Sequence, residues 1–156
     1  MCNNGLTVEL NGCTYKYWNW GGKFRVVPEG WGFPSGIATN TLWDLWLDGD
    51  KNKGIRPYEL VSKNGGDVKK STTTNMSKAR TAMKCIIDRT GKSIADIRAL
   101  SIVRRDELFA HTFRELCVVL FPDKPAVYFE NPKAQALSYT RVYDLMRSAR
   151  KTGALG

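Results

Sequence analysis

Between Lys69 and Gly91 the chain reads KKSTTTNMSKARTAMKCIIDRTG, and this stretch restricts the possible folds more than any other. A lysine pair and a hydroxyl-rich run, Ser71 to Asn75, predict a loop. Beyond it Met76, Ala79, Met83, Ile86 and Ile87 recur at three- and four-residue spacing, which predicts a helix with one apolar stripe. Ser77, Arg80, Thr81 and Lys84 lie together on another face of the same helix. Asn75 is the predicted N-cap and Gly91 the predicted C-terminal stop, with Arg89 in the last turn where a cation suits the helix dipole. Such a helix needs a hydrophobic platform behind it, and in front it offers hydrogen-bonding and cationic side chains.

Charge is concentrated around this helix. The formal net charge is +9 over 156 residues. From Lys51 to Arg105 there are 14 Lys and Arg against 4 Asp and Glu, while the rest of the chain has 10 against 11. A basic region within a neutral frame is the footprint expected for a polyanionic ligand, most often nucleic acid. An apolar-backed helix with a basic, hydroxyl-rich lead-in has the chemistry of a major-groove recognition helix. Lys69, Lys70, Ser71 and Thr73 are then candidates for phosphate contacts that set register without reading sequence. Asn75, Ser77, Lys78, Arg80, Thr81 and Lys84 are the candidates on the helix, with Arg80 first choice for a bidentate guanine contact.

The remaining pattern predicts a mainly α fold with a small N-terminal β-ribbon. Leu6 to Leu10 alternates, Asn11-Gly12 signals a two-residue hairpin turn, and Cys13 to Trp18 follows as its partner. Gly21-Gly22 marks another turn before a short strand at Phe24 to Val27. The aromatics Tyr15, Tyr17, Trp18 and Trp20 interleave with Lys16, Lys23 and Arg25, and their expected use is packing against the helical body. A linker pinned by Trp31 and Phe33 leads to a helix from about Thr41, with Leu42, Trp43, Leu45 and Trp46 on its apolar face and Gly49 at its end. Asp48-Gly49-Asp50 lacks the spacing and terminal Glu of a calcium loop. Ile55 to Val61 predicts a second short helix with Pro57 in its first turn. With the basic helix these make a compact three-helix, helix-turn-helix-like unit over residues 37–91 of a single domain. Residues 1–36 are its ribbon and linker, and 92–156 its supporting C-terminal helices. There Ser93 caps one helical segment, Leu108 to Phe121 forms a strongly apolar helix, and Asn131-Pro132 opens a last helix running to about Lys151 with Ala136, Tyr139, Tyr143 and Met146 inward.

Much chemistry is absent from the pattern. Cys2, Cys13, Cys85 and Cys117 are far apart and, with the single His111, do not supply the usual zinc ligand spacing, so neither metal nor cofactor is expected. Free thiols suit the nucleus or another reducing compartment, and no signal peptide or membrane-spanning run is apparent. His111-Thr112-Phe113-Arg114 with a later Tyr139 or Tyr143 resembles half of a tyrosine-recombinase site, but it lacks the glycine-rich turn that follows there. No enzyme activity is expected.

Thr41 to Ile87 also resembles the DNA-binding domain of fungal glycolytic-gene activators and osmostress factors, a domain that occurs too in certain tyrosine-recombinase mobile elements. The resemblance rests on Trp43-x-x-Trp46, the glycine turn at Gly49 and Gly54, Pro57 with Glu59-Leu60, and a third helix opening Ser77-Lys78-Ala79-Arg80 and closing Ile86-Ile87-Asp88. It implies that Ser77, Lys78, Arg80 and Lys84 meet DNA. The family's Trp-Arg element before the last helix is replaced by Asp67-Val68-Lys69-Lys70, and neither the ribbon nor residues 93–151 has a counterpart. The expectation is a sequence-specific double-stranded DNA-binding protein, a transcription factor or mobile-element protein. The alternatives are a protein-interaction module with a groove lined by Trp31, Trp43 and Trp46, or a non-specific binder of RNA or single-stranded DNA.

Overall fold

The structure, a computed structural model, describes residues 6–10, 12–61, 73–124 and 137–153, with only the backbone of Thr73. Lys69, Lys70 and Ser71 lie outside the described residues. The fold is mainly α with two small β-hairpins. In chain order the elements are β1 (Thr7–Leu10), β2 (Cys13–Lys16), β3 (Trp18–Trp20), β4 (Lys23–Arg25), α1 (Thr39–Asp48), a 3-10 turn (Tyr58–Leu60), α2 (Thr73–Thr90), α3 (Ile94–Ala99), α4 (Ile102–Leu120) and α5 (Tyr139–Lys151). Contacts divide the chain into two compact units, one of residues 1–34 and 44–77, the other of residues 35–43 and 78–156. The divisions fall inside α1 and α2.

In the first unit the Asn11-Gly12 signal gives the predicted hairpin, with Leu10 opposite Cys13 and Thr7 opposite Lys16. The rest of the ribbon is a second hairpin rather than a third strand of the first, pairing Trp18 with Arg25 and Trp20 with Lys23. The interleaved aromatics are used for packing. Tyr15 is buried and donates its hydroxyl to the Asp48 carbonyl at the end of α1, and Trp20 Nε1 donates to Val27 O at 2.6 Å. Arg56 lies over the Tyr17 ring at 4.6 Å and Arg25 over Trp20 at 5.0 Å. Trp31, Phe33 and Tyr58 meet edge-on or tilted with ring centroids 5.2 to 5.8 Å apart, which is how the linker is pinned.

The predicted second helix at Ile55 to Val61 is instead one 3-10 turn. Ile55 is held in a bridge with Asp50, Pro57 is extended at ψ 131° and Val61 at ψ 120°, so only three residues between them turn. Asp50 N donates to Ile55 O at 2.9 Å and Ile55 N returns to Asp50 O at 3.0 Å. That bridge needs Gly49 at φ +76°, because a Cβ there would meet the Ile55 carbonyl and sit 2.7 Å from Arg56 O. Of the three helices expected over residues 37–91, α1 and α2 are present and the middle one is a bridged turn with a single turn of 3-10 helix.

In the second unit the side chains buried along α4 and α5 form the core: Phe109, Phe113, Leu116 and Cys117 with Tyr139, Val142 and Met146, joined by Leu42 and Trp43. Trp43 and Phe109 stand 5.1 Å apart, and Phe109 stacks on Phe113 at 5.2 Å. Three serines set helix starts by accepting a backbone N–H: Ser93 from Asp96, Ser101 from Arg104 and Ser138 from Arg141. Ser101 explains why the apolar helix begins six residues before Leu108, absorbing the charged run Arg104 to Glu107. The buried Arg105 then reaches back to the last turn of α3, donating Nε to Ile97 O at 3.3 Å and Nη2 to Arg98 O at 3.0 Å. The last helix starts at Tyr139, not Asn131, which lies outside the described residues. Ser138 is extended and bridges Ala38: Thr39 donates both N–H and Oγ1 to Leu137 O, and Tyr139 N donates to Ile37 O. Val142 and Ala149 join Tyr139 and Met146 on its buried side, while Tyr143 is only half-buried.

Candidate nucleic-acid interface

The platform behind α2 is Met76, Ala79, Ala82, Met83 and Ile86, all buried. Ala82 takes the place expected for Ile87, which is half-buried. The opposite face carries Thr74, Ser77, Thr81, Lys84 and Asp88 at alternating steps of three and four, so they form one stripe; Thr81 is half-buried and the others exposed. Ser77, Thr81 and Lys84 are thus brought together as the sequence predicts. Arg80 is set to the side of that stripe, half-buried with its Nε enclosed. Asn75 is not an N-cap: the helix begins at Thr73, which puts Asn75, half-buried, within its first turn. Thr73 is the first helical residue.

Two features of the stripe were not legible in residue types. Lys84 Nζ is 3.2 Å from the Asp88 carboxylate, with both side chains well exposed, so part of its charge is already answered on its own helix. Lys78 turns away from the stripe toward α5, its Nζ 5.7 Å from the centroid of the Tyr143 ring. Arg147 lies 5.9 Å from the same ring. The half-buried Cys85 sits on this side of α2. Burial pushes its thiol up, while Arg89 and Arg150 draw it down and Asp88 adds a smaller upward push. By residue type alone Arg147 and Arg150 are cations suited to the C-terminal end of the last helix's dipole. The available signal was the i, i+4, i+7 spacing of Tyr143, Arg147 and Arg150.

His111, Arg114, Tyr139 and Tyr143, singled out from the sequence, lie on α4 and α5. His111 pairs with Glu115 at 3.1 Å on the exposed surface of α4, and Tyr139 is fully buried with its hydroxyl pushed up to about 12 by desolvation. A recombinase-type nucleophile would need to be reachable, so this tyrosine does not fit the role. Trp43 and Trp46 are 1% and 4% exposed, so they are core residues and line no open groove. Cys13, Cys85 and Cys117 are free thiols, and among the described residues no group of His, Cys, Asp and Glu is arranged to hold a metal ion. No described helix is long and apolar enough to cross a membrane. No family model matches the chain, and neither the curated proteins nor the solved structures contain a match.

Proposed function

We propose that this chain is a sequence-specific double-stranded DNA-binding protein that presents the exposed stripe of α2 to the major groove, as a transcription factor or mobile-element protein working in the nucleus or another reducing compartment. The observation that carries this reading is the stripe itself. Ser77, Thr81 and Lys84 stand in register on a helix of 18 residues whose opposite side is fixed by five buried apolar side chains. A helix of that length is about 27 Å long at 1.5 Å per residue, more than enough to cross a major groove about 12 Å wide. Hydroxyls and a lysine suit base edges, whereas of the three indoles that a protein-interaction groove would need, Trp43 and Trp46 are in the core. Arg80, with Nε enclosed, would approach a guanine end-on through its two terminal nitrogens.

Selection from a random duplex library, with single-stranded DNA and RNA as competitors, tests the reading. The expected result is a defined duplex motif that loses preference at one position in Lys84→Ala and at a neighbouring one in Thr81→Ala, each at a cost of about 1–3 kcal/mol. Enrichment of no motif together with strong binding would show a non-specific nucleic-acid binder. No duplex binding at 50 mM salt would remove the reading altogether.

A further inference from the structure

Tyr143, Arg147 and Arg150 share one face of α5, and Lys78, Cys85 and Arg89 share one side of α2. The two sides face each other at two levels. At the first, Lys78 and Arg147 both lie within 6 Å of the Tyr143 ring. Seven residues further along each helix, the Cys85 thiol lies in the field of both Arg89 and Arg150. Seven residues are about 10 Å of helix on either element. Four cations therefore line one seam. Among the described residues none of the four makes an ion pair, and the carboxylate that also reaches Cys85, Asp88, is engaged by Lys84. Arg147 and Arg150 are exposed, as is Arg89, while Lys78 is half-buried against the ring that holds it.

Cations gathered along one line on two helices repel one another, and a folded chain keeps them there at a cost unless an anion with the same linear spacing relieves it. From Lys78 to Arg89 the line runs about 16 Å, long enough to follow several successive phosphates of a duplex strand, which rise 3.4 Å per nucleotide. We propose that Lys78, Arg89, Arg147 and Arg150 form a track for the phosphate backbone of duplex DNA, flanking the base-reading stripe of α2; the assignment rests on the reading of α2 as the DNA-facing helix. The track contributes affinity without sequence preference, and Tyr143 acts as the spacer that keeps Lys78 and Arg147 apart at a fixed distance.

The test compares the full chain with R147Q/R150Q and with the charge-matched K51Q/K53Q, whose side chains sit on the exposed turn before Gly54. Fluorescence anisotropy with the selected duplex and a scrambled duplex is run from 50 to 200 mM salt, with thermal melting as a check that each variant folds. R147Q/R150Q should bind both duplexes about tenfold more weakly, with a salt slope shallower by about 2, since each phosphate contact contributes about 0.9. K51Q/K53Q should keep the slope of the unmodified chain. An unchanged slope in R147Q/R150Q, or an equal loss in K51Q/K53Q, would overturn the track while leaving α2 as the reading helix. Failure of the unmodified chain to bind either duplex at 50 mM would instead overturn the underlying reading, and the track with it.

Discussion

At the scale of single residues, position 49 is the least replaceable in the first unit. Gly49 has φ +76°, a region that costs an L-residue about 1–2 kcal/mol, and an added Cβ would strike the Ile55 carbonyl in the bridge that turns the chain after α1. Gly49→Ala should therefore cost about 3 kcal/mol, read as a fall in the urea midpoint. Gly54→Ala has the same φ, but the nearest atoms its Cβ would meet belong to the Lys16 side chain, which can move, so its loss should be clearly smaller. Equal losses would mean that the bridge is not what Gly49 protects. A second residue-level prediction concerns alkaline stability. Burial pushes the Cys117 thiol from its usual 9.0 to about 12, and the Tyr58 and Tyr139 hydroxyls from 10.0 to about 12, with Asp50 also raising Tyr58. The folded state holds these protons where the unfolded chain has lost them. Their stabilisation is thus complete below about pH 9 and is lost progressively as the pH rises toward 12. The urea midpoint should begin to fall near pH 9, and the fall between pH 9 and 10 should be shallower in Cys117→Ala, where only the raised Cys85 thiol still contributes before the tyrosines begin. A midpoint flat to pH 11 would contradict the burial of all three groups.

At the scale of elements, α2 was readable because its apolar spacing is regular and its end is marked by Gly91. Its start was not. Thr73 and Thr74 carry loop character by residue type, and nothing local says that the helix takes them in and leaves Asn75 inside. The last helix shows the converse: Asn131-Pro132 is a sound local start signal, but a pairing between residues 37–39 and 137–139, a hundred positions apart, fixes the true start at Tyr139. Local rules found the Ser93 cap and the hairpin turn but missed the caps at Ser101 and Ser138, and they failed where a distant strand partner decided the boundary. The side chains on α2 follow the same division. Periodicity placed Ser77, Thr81 and Lys84 on one stripe, whereas the turn of Lys78 toward Tyr143 depends on a neighbouring element. Asp88 supplies the element-level prediction. As an exposed i,i+4 pair its bond to Lys84 is worth about 0.3–0.5 kcal/mol, and its charge sits unfavourably near the C-terminal end of the dipole. Asp88→Asn should leave thermal stability nearly unchanged and tighten duplex binding several-fold at 50 mM salt, by freeing Lys84 and removing a repelled carboxylate. Weaker or unaltered binding would place the DNA away from this face.

At the scale of the whole molecule, a tally of charge along the chain and a tally by folded unit give different pictures. Along the chain the excess lies between Lys51 and Arg105. By unit, residues 35–43 and 78–156 hold 15 Lys and Arg against 8 Asp and Glu, while residues 1–34 and 44–77 hold 9 against 7. The second unit thus carries most of the net charge, since it adds the arginines of α5 to those of α2. It also loses Lys51, Lys53 and Arg56, the last of which is occupied over Tyr17. A linear count cannot see that a helix sixty residues downstream lies beside the basic one. Five cations, Lys78, Lys84, Arg89, Arg147 and Arg150, are then available to a duplex on α2 and α5. If each neutralises one phosphate, log K should fall with log salt at a slope of about −4.5, a loss of a few hundredfold between 50 and 200 mM. A slope near −1 would mean that the net charge of +9 acts only as a diffuse field. A slope near −8 would require cations beyond these five to contact DNA, and the unchanged slope expected of K51Q/K53Q would then place them in the second unit.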